Sequence, residues 1–364
     1  MTYKPVILLG NGARHNPALI DYLCSLNIPV LTTWMAADLI PETHPAYCGR
    51  PGTIGQRAAN IIQQKADQLI CVGARLDNDQ VGWRYDNFAP RAIKLVYDVD
   101  RAELDKLPDN TNWRKEHIDL TKKKINITRE MDTWWLDWCK ALYEKYQVFP
   151  EGNPEYVDPY AFTDWLSDQC QPDDVLAIGS SGMAPCSFLQ AFKAKEGQRI
   201  VNTCTFGGMG ADIPMAIGAC IASGGRRTIC VTGDGGFTQN MQELEVVRRL
   251  ELSIKFFVFS NGGYGSIWNM QDGRFGGRRV GADVNSGLTL PINEHSIWVS
   301  DIDRLHTLNT YKVITELNID PAFKLSPRVG STLTDGVFTV DSMENMTPKL
   351  PVDELEELMR WGNE

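Results

Sequence analysis

Between Thr228 and Asn261 the chain spells out a strand, a turn, a helix and a second strand, with a polar residue closing each strand. The apolar run Thr228-Ile229-Cys230-Val231-Thr232 leads into Gly233-Asp234-Gly235-Gly236. A helical stretch follows from Asn240 to Leu250. A second apolar run, Ile254-Lys255-Phe256-Phe257-Val258-Phe259, then leads to Asn261. Such a unit makes two neighbouring parallel strands. It brings Asp234 and Asn261 side by side at the carboxyl ends, where open α/β sheets bind ligands. A hard cation such as Mg2+ takes oxygen ligands and keeps phosphate oxygens in its shell. Asp234 offers a charged oxygen, Asn261 a neutral one, and the Gly263 carbonyl a third. Gly235 and Gly236 are expected to leave room for a diphosphate at the start of a helix, whose N–H groups favour anions. This physics gives a metal-diphosphate site and not the identity of the ligand. The bland alternative is a glycine-rich turn followed by an ordinary strand end.

The rest of the chain alternates in the same way. Val6 to Leu9 reads as a strand closing on Gly10-Asn11-Gly12, and Pro17 to Leu26 as a helix. Pro29 to Thr33, Leu69 to Gly73 and Ile93 to Asp100 read as strands, and Ala59 to Lys65 as a helix. Strands alternating with helices predict an α/β fold with doubly wound parallel sheets. With 364 residues, two domains are expected. The boundaries are a nucleotide-binding-like domain over 1–125, a helical linker over 126–158 carrying Trp134, Trp135 and Trp138, and a diphosphate-binding domain over 159–364. Pro150, Gly152, Pro154 and Pro159 punctuate the junction. Lys122-Lys123-Lys124 reads as a solvated face. Ser180-Ser181-Gly182 follows the strand Asp174 to Gly179; its hydroxyls either donate to phosphate or cap the next helix.

The net charge of -10 argues against nucleic acid, and no apolar run approaches a membrane span. The amino end leads straight into a strand, without a signal peptide. Nine scattered cysteines without CxxC pairs suit a reduced, cytoplasmic protein.

Gly233-Asp234-Gly235 with Ser260-Asn261-Gly262-Gly263-Tyr264-Gly265 resembles the thiamine-diphosphate motif of the acetolactate synthase-like family. Ser260 stands where that family has the first asparagine of a pair. Thr32-Thr33-Trp34, Gly49-Arg50-Pro51-Gly52-Thr53 and Gly73-Ala74-Arg75-Leu76-Asp77 resemble the same family's central domain. The resemblance implies thiamine diphosphate and Mg2+ held by Ser180, Ser181, Gly208, Met209, Gly233, Asp234, Gly235, Gly236, Asn261, Gly263, Tyr264 and Gly265. Asp234, Asn261 and the Gly263 carbonyl would ligate the metal. Met209 would be the catalytic wedge that props the cofactor into its bent form, a task that suits a bulky, deformable side chain; the alternative is core packing. FAD contacts would fall on Gly10, Gly12, Thr33, Gly73, Ala74, Arg75, Asp77 and Asp98, or else those residues shape turns and caps. Trp268 and Met270 either line the substrate side or pack. Gln242-Glu243-Leu244 is structural in the family.

The family's first, pyrimidine-binding domain, which brings an activating glutamate, is not matched, and the connection over 292–310 reads as shortened. The resemblance therefore implies one subunit of a 2-oxo acid decarboxylase and carboligase. A separate pyrimidine-binding subunit would complete it within a homo- or hetero-oligomer. The alternative is a non-catalytic cofactor-binding or regulatory protein. A nicotinamide dehydrogenase resting on Gly10-Asn11-Gly12 explains neither the Asp234-to-Asn261 spacing nor the second half.

Overall fold

The computed structural model describes residues 3–122, 125, 127, 132–147, 149–179, 181–204, 206–288, 297–299 (backbone), 314–335 and 337–360. The chain forms two compact units. Unit 1 is Met1–Phe149 with Ser326–Glu364, and unit 2 is Pro150–Leu325.

Unit 1 begins β1 (Pro5–Leu9), α1 (Pro17–Cys24), β2 (Val30–Thr32), α2 (Arg57–Lys65), β3 (Gln68–Val72), α3 (Asn78–Val81), β4 (Ile93–Asp98), α4 (Arg101–Asp105), β5 (Trp113–His117) and α5 (Trp134–Lys145). Local chemistry sets the starts. Pro17 occupies the first turn of α1 and the Asn16 side chain accepts from Leu19 N–H at 3.1 Å. The five strands are all parallel in the order β2-β1-β3-β4-β5. The chain leaves β1 towards β2 and returns to place β3 on the other side, so the winding reverses between β1 and β3. There the outgoing turns touch. Gly12 N–H donates to Gly73 O at 3.0 Å, and Gly73 has φ +58.

Unit 2 contributes α6 (Pro159–Gln169), β6 (Val175–Ile178), α7 (Met183–Ala191), β7 (Arg199–Asn202), α8 (Asp212–Ala222), β8 (Thr228–Gly233), α9 (Asp234–Phe237), α10 (Leu244–Arg249), β9 (Ile254–Ser260), α11 (Gly265–Arg274), β10 (Ile297–Val299) and β11 (Ile314–Asn318). Asp158 caps α6, accepting from Tyr160 and Ala161 N–H at 2.8 Å each. The sheet order is β10-β11-β9-β8-β6-β7, again all parallel. Its winding reverses between β6 and β8, which are paired neighbours. Both units are thus doubly wound parallel α/β sheets, as the sequence predicts. Of the expected shortened connection, 292–296 and 300–310 lie outside the described residues, as do Lys123 and Lys124.

Two expected boundaries differ from the structure. The tryptophan-rich segment is no linker: α5 packs on α2 within unit 1. Trp135 is fully buried there, stacks on Trp138 and donates its indole N–H to Pro5 O at 2.9 Å. The carboxyl segment from 326, expected in the diphosphate domain, returns to unit 1 and ends in α12 (Val352–Arg360). Buried polar side chains of α2 hold it. Asn60 Nδ2 donates to Met343 O at 3.0 Å, Arg57 to Met346 O at 3.3 Å, and Lys65 Nζ to Leu358 O at 2.6 Å.

The contact between the β1 and β3 turns has a measurable consequence. A Cβ on Gly10 would lie 2.0 Å from Gly73 O and 2.2 Å from Ala74 Cα, backbone atoms that cannot swing away. Gly10→Ala is expected to lower stability by about 3 kcal/mol, the upper end for overpacking. A Cβ on Gly208 meets nothing within 4 Å, so Gly208→Ala is expected to stay within about 0.5 kcal/mol of the parent. Urea midpoints of the two variants check this.

Candidate functional site

β8 and β9 run in register with Gly233 opposite Phe259, so Asp234 and Asn261 emerge together at the carboxyl edge. Asp234 is 3% exposed, and peptide N–H groups surround its carboxylate. Gly235 N–H donates to Oδ1 at 2.7 Å; Asn261 and Gly262 N–H donate to Oδ2 at 3.1 and 3.0 Å. Gly262, with φ +80, turns the chain so that these donors converge. Burial raises the Asp234 pKa to about 6 against the pull of those N–H groups. The Asn261 side chain folds over its own turn. Its Oδ1 accepts from Gly263 N–H at 3.3 Å, and the Gly263 carbonyl accepts from Gly265 N–H at 3.1 Å. The structure therefore brings Asp234, at the end of β8, against the turn after β9 that carries Asn261 and Gly263. Asp234 Oδ1, Asn261 Oδ1 and the Gly263 carbonyl each accept one protein bond and keep a lone pair beyond it, whereas Asp234 Oδ2 already accepts two. Among the described residues no three His, Cys, Asp or Glu side chains converge. A cation at this turn relies on one carboxylate and neutral oxygens, a set suited to a hard metal.

The space expected beside Gly235 and Gly236 is filled by the protein itself. A Cβ on Gly235 would lie 2.5 Å from the Tyr264 ring, and one on Gly236 2.3 Å from Asp212 Oδ2. The helix after the turn, α9, spans only Asp234–Phe237. Open directions lie elsewhere, at Gly207, Gly208, Gly233 and Gly262, where a Cβ would meet nothing within 4 Å. The Met209 loop shares this edge. Its next residue, Gly210 (φ +85), is held through its carbonyl by Asn240 Nδ2 at 2.6 Å. The Met209 side chain is 42% exposed, so it is not a core packer. Gly182, not Ser181, sits at the N-cap of α7, and Ser181 is exposed; Ser180 lies outside the described residues. Trp268 is buried behind Gly263 and Gly265, whereas Met270 is exposed.

The buried Asp212 escaped the reading of the sequence. Its carboxylate accepts from the Thr232 hydroxyl and stands beside Gly236, joining the start of α8 to the glycine turn. An acid opening an otherwise apolar helix was the available signal.

Of the eight residues assigned to FAD, seven follow the carboxyl ends of β1, β2 and β3, and Asp98 closes β4. Each has work within the protein. Gly10, Gly12, Gly73 and Ala74 pack turn on turn. Thr33 N–H donates to Leu9 O at 2.9 Å, and Arg75 pairs with Glu103 at 3.3 Å. Asp77 caps α3, and Asp98 accepts from Asp100 N–H at 2.9 Å.

Comparison with known proteins fits this division. The family model described as thiamine pyrophosphate enzyme, central domain, matches residues 2–112. That described as thiamine pyrophosphate enzyme, C-terminal TPP binding domain, matches residues 177–301. The acetolactate synthase isozyme 1 large subunit of Escherichia coli K12 is 28% identical over 74% of this chain and 48% of its own length. The isozyme 2 large subunit of the same organism is 27% identical over 96% of this chain and 62% of its own. The acetolactate synthase large subunit of Lactococcus lactis is 26% identical over 86% and 56%. The chain thus spans about half to three fifths of the length of these curated relatives. No helix among the described residues is long and apolar enough to cross a membrane.

Asp234 makes the pH dependence of stability predictable. Its folded pKa, about 6, stands above the ordinary carboxyl value near 4. The folded chain therefore binds more protons at this site between those values, and stability falls as pH rises through that window. We expect a loss on the order of 2–3 kcal/mol from pH 4 to pH 6 that Asp234→Asn removes. Denaturant titrations of both proteins across this range measure it.

Proposed function

Because this chain belongs to the thiamine pyrophosphate enzyme family, we propose that unit 2 holds thiamine diphosphate through Mg2+ at Asp234, Asn261 and the Gly263 carbonyl. The chain then serves as one subunit of a 2-oxo acid decarboxylase and carboligase. The observation that carries the metal assignment is the buried Asp234 carboxylate, fixed by peptide N–H groups at the ends of two adjacent strands. When bound, the cofactor supplies carbanion-stabilising chemistry to a 2-oxo acid such as pyruvate, and the protein supplies binding and orientation.

The chain's residues divide that work. Asp234 brings the one anionic ligand, and Asn261 and Gly263 bring neutral oxygens. Gly208, Gly233 and Gly262 leave the approach to the turn open. Met209, half out of the protein on a loop pinned at Gly210, is the wedge for the bent cofactor. Tyr264 closes the Gly235 side. The matched domains are the central and C-terminal ones, so in the proposed enzyme a pyrimidine-binding domain brings the activating glutamate to this site. The relatives' designation as large subunits supports an assembly of chains. The nine cysteines, scattered without CxxC pairs, support a cytoplasmic setting. For unit 1 we favour the turn-shaping role of the eight residues, since each has an intramolecular task. A flavin released on heating the purified protein would reverse that choice.

Titration with thiamine diphosphate is expected to show binding that requires Mg2+. Asp234→Ala should abolish that requirement together with the binding. Pyruvate decarboxylation is expected only when a pyrimidine-domain polypeptide is added. Metal-dependent binding with no turnover in any mixture would favour a regulatory protein. No Mg2+-dependent binding in the parent would overturn the site.

A further inference from the structure

Beyond the three metal-ligating positions, the structure shows a strap laid across their turn. Residues 279–288 pass over Gly263: Gly263 and Asp283 form an antiparallel bridge, and Tyr264 N–H donates to Ala282 O at 2.8 Å. The contact is close. A Cβ on Gly263 would meet Ala282 O at 2.3 Å and the Trp268 ring at 3.0 Å. Within the strap, Ser286 Oγ accepts from Ala282 and Asp283 N–H at 2.9 Å each, and Asp283 Oδ1 accepts from Ser286 N–H at 2.8 Å.

One side chain fastens this strap to α11. Arg279 Nε and Nη2 donate to the two carboxylate oxygens of Asp272, on α11, at 2.9 and 2.7 Å. Its Nη1 donates to Asp283 Oδ2 at 2.7 Å, and the guanidinium lies 5.2 Å over the Trp268 ring. The planar fork is matched to this bidentate, stacked arrangement in a way a lysine is not. Gln271 makes a second tie, its amide exchanging hydrogen bonds with the Val280 backbone at 3.1 and 3.2 Å.

We propose that Arg279 is a positioning residue for the metal turn: it fixes the strap and Trp268 against Gly263 and so sets where the Gly263 carbonyl points. The inference rests on the Mg2+-diphosphate reading of Asp234, Asn261 and Gly263. Groups that orient metal ligands from behind typically change metal affinity by about tenfold or more when removed.

The test is a Mg2+ titration of the full chain at saturating thiamine diphosphate, followed by calorimetry, beside thermal melts without metal. Arg279→Ala is expected to raise the half-saturating Mg2+ concentration about tenfold. Arg279→Lys should recover part of that loss, while the two variants melt close together. A half-saturation unchanged from the parent in Arg279→Ala overturns the proposal. If that variant does not fold, Asp272→Asn, which weakens the bidentate limb and leaves the Arg279–Asp283 pair, must raise the half-saturation, and an unchanged value again overturns it. A parent without Mg2+-dependent binding removes the metal site and this inference together. Normal binding in the parent with an unaffected Arg279→Ala removes this inference alone.

Discussion

Taking a carboxylate out of water is costly unless donors replace the lost hydration. For Asp234 the donors are peptide N–H groups that reach it only if β9 ends where it does. Two of the three bonds come from Asn261 and Gly262, the first residues beyond β9. The pairing of β8 with β9, the positive φ of Gly262 and the burial of Asp234 are therefore one constraint seen from three sides. Once that constraint is met, the Asn261 amide has little freedom, because its oxygen is already engaged by the Gly263 N–H. The turn beyond it then has a defined face on which α11 and the strap can rest.

Glycine serves two distinct ends around this turn. At Gly235, Gly236 and Gly263 the absent side chain admits another part of the protein: the Tyr264 ring, the Asp212 carboxylate and the Ala282 carbonyl. At Gly208, Gly233 and Gly262 it leaves the approach clear. The motif read as a string treats all six alike. Only the packing tells which glycines let the protein close on itself and which leave a way in. The same division explains unit 1, where Gly10, Gly12 and Gly73 are consumed by contact between two turns.

Much of the sheet framework was legible because interior strands of a parallel sheet are apolar throughout. Within the two parallel sheets, the strands that escaped lie at edges. β5, Trp-Arg-Lys-Glu-His, ends its sheet and is largely exposed, and β7 ends the other with only four residues. The return of the tail to unit 1 was illegible for a different reason. Every residue of α2 is buried, including the polar Arg57, Asn60, Gln63, Gln64 and Lys65. Their partners include carbonyls nearly three hundred positions further on, at Met343, Met346 and Leu358. In the site, Asp234 and Asn261 were readable because one strand-turn-helix-strand unit positions both. Asp212 left only the faint signal of an acid opening an apolar helix, and the pairing of Arg279 with Asp272, Asp283 and the Trp268 ring emerges only once α11 and the segment after it are folded against each other.

The donor set also bears on how the proposed ligands assemble. One carboxylate and two neutral oxygens satisfy three positions around a cation that prefers six, and Mg2+ gives up its waters reluctantly. With no cluster of three acids among the described residues to compensate, the turn is a weak trap for the metal alone. A diphosphate alone would face the Asp234 carboxylate, ionised at neutral pH with a pKa of about 6, and be repelled. Each ligand therefore supplies what the other lacks: the cation neutralises the carboxylate for the anion, and the anion completes the coordination of the cation. Linkage makes that coupling reciprocal, so on the proposed reading the single acid at the end of β8 would favour the metal-diphosphate pair over either partner alone.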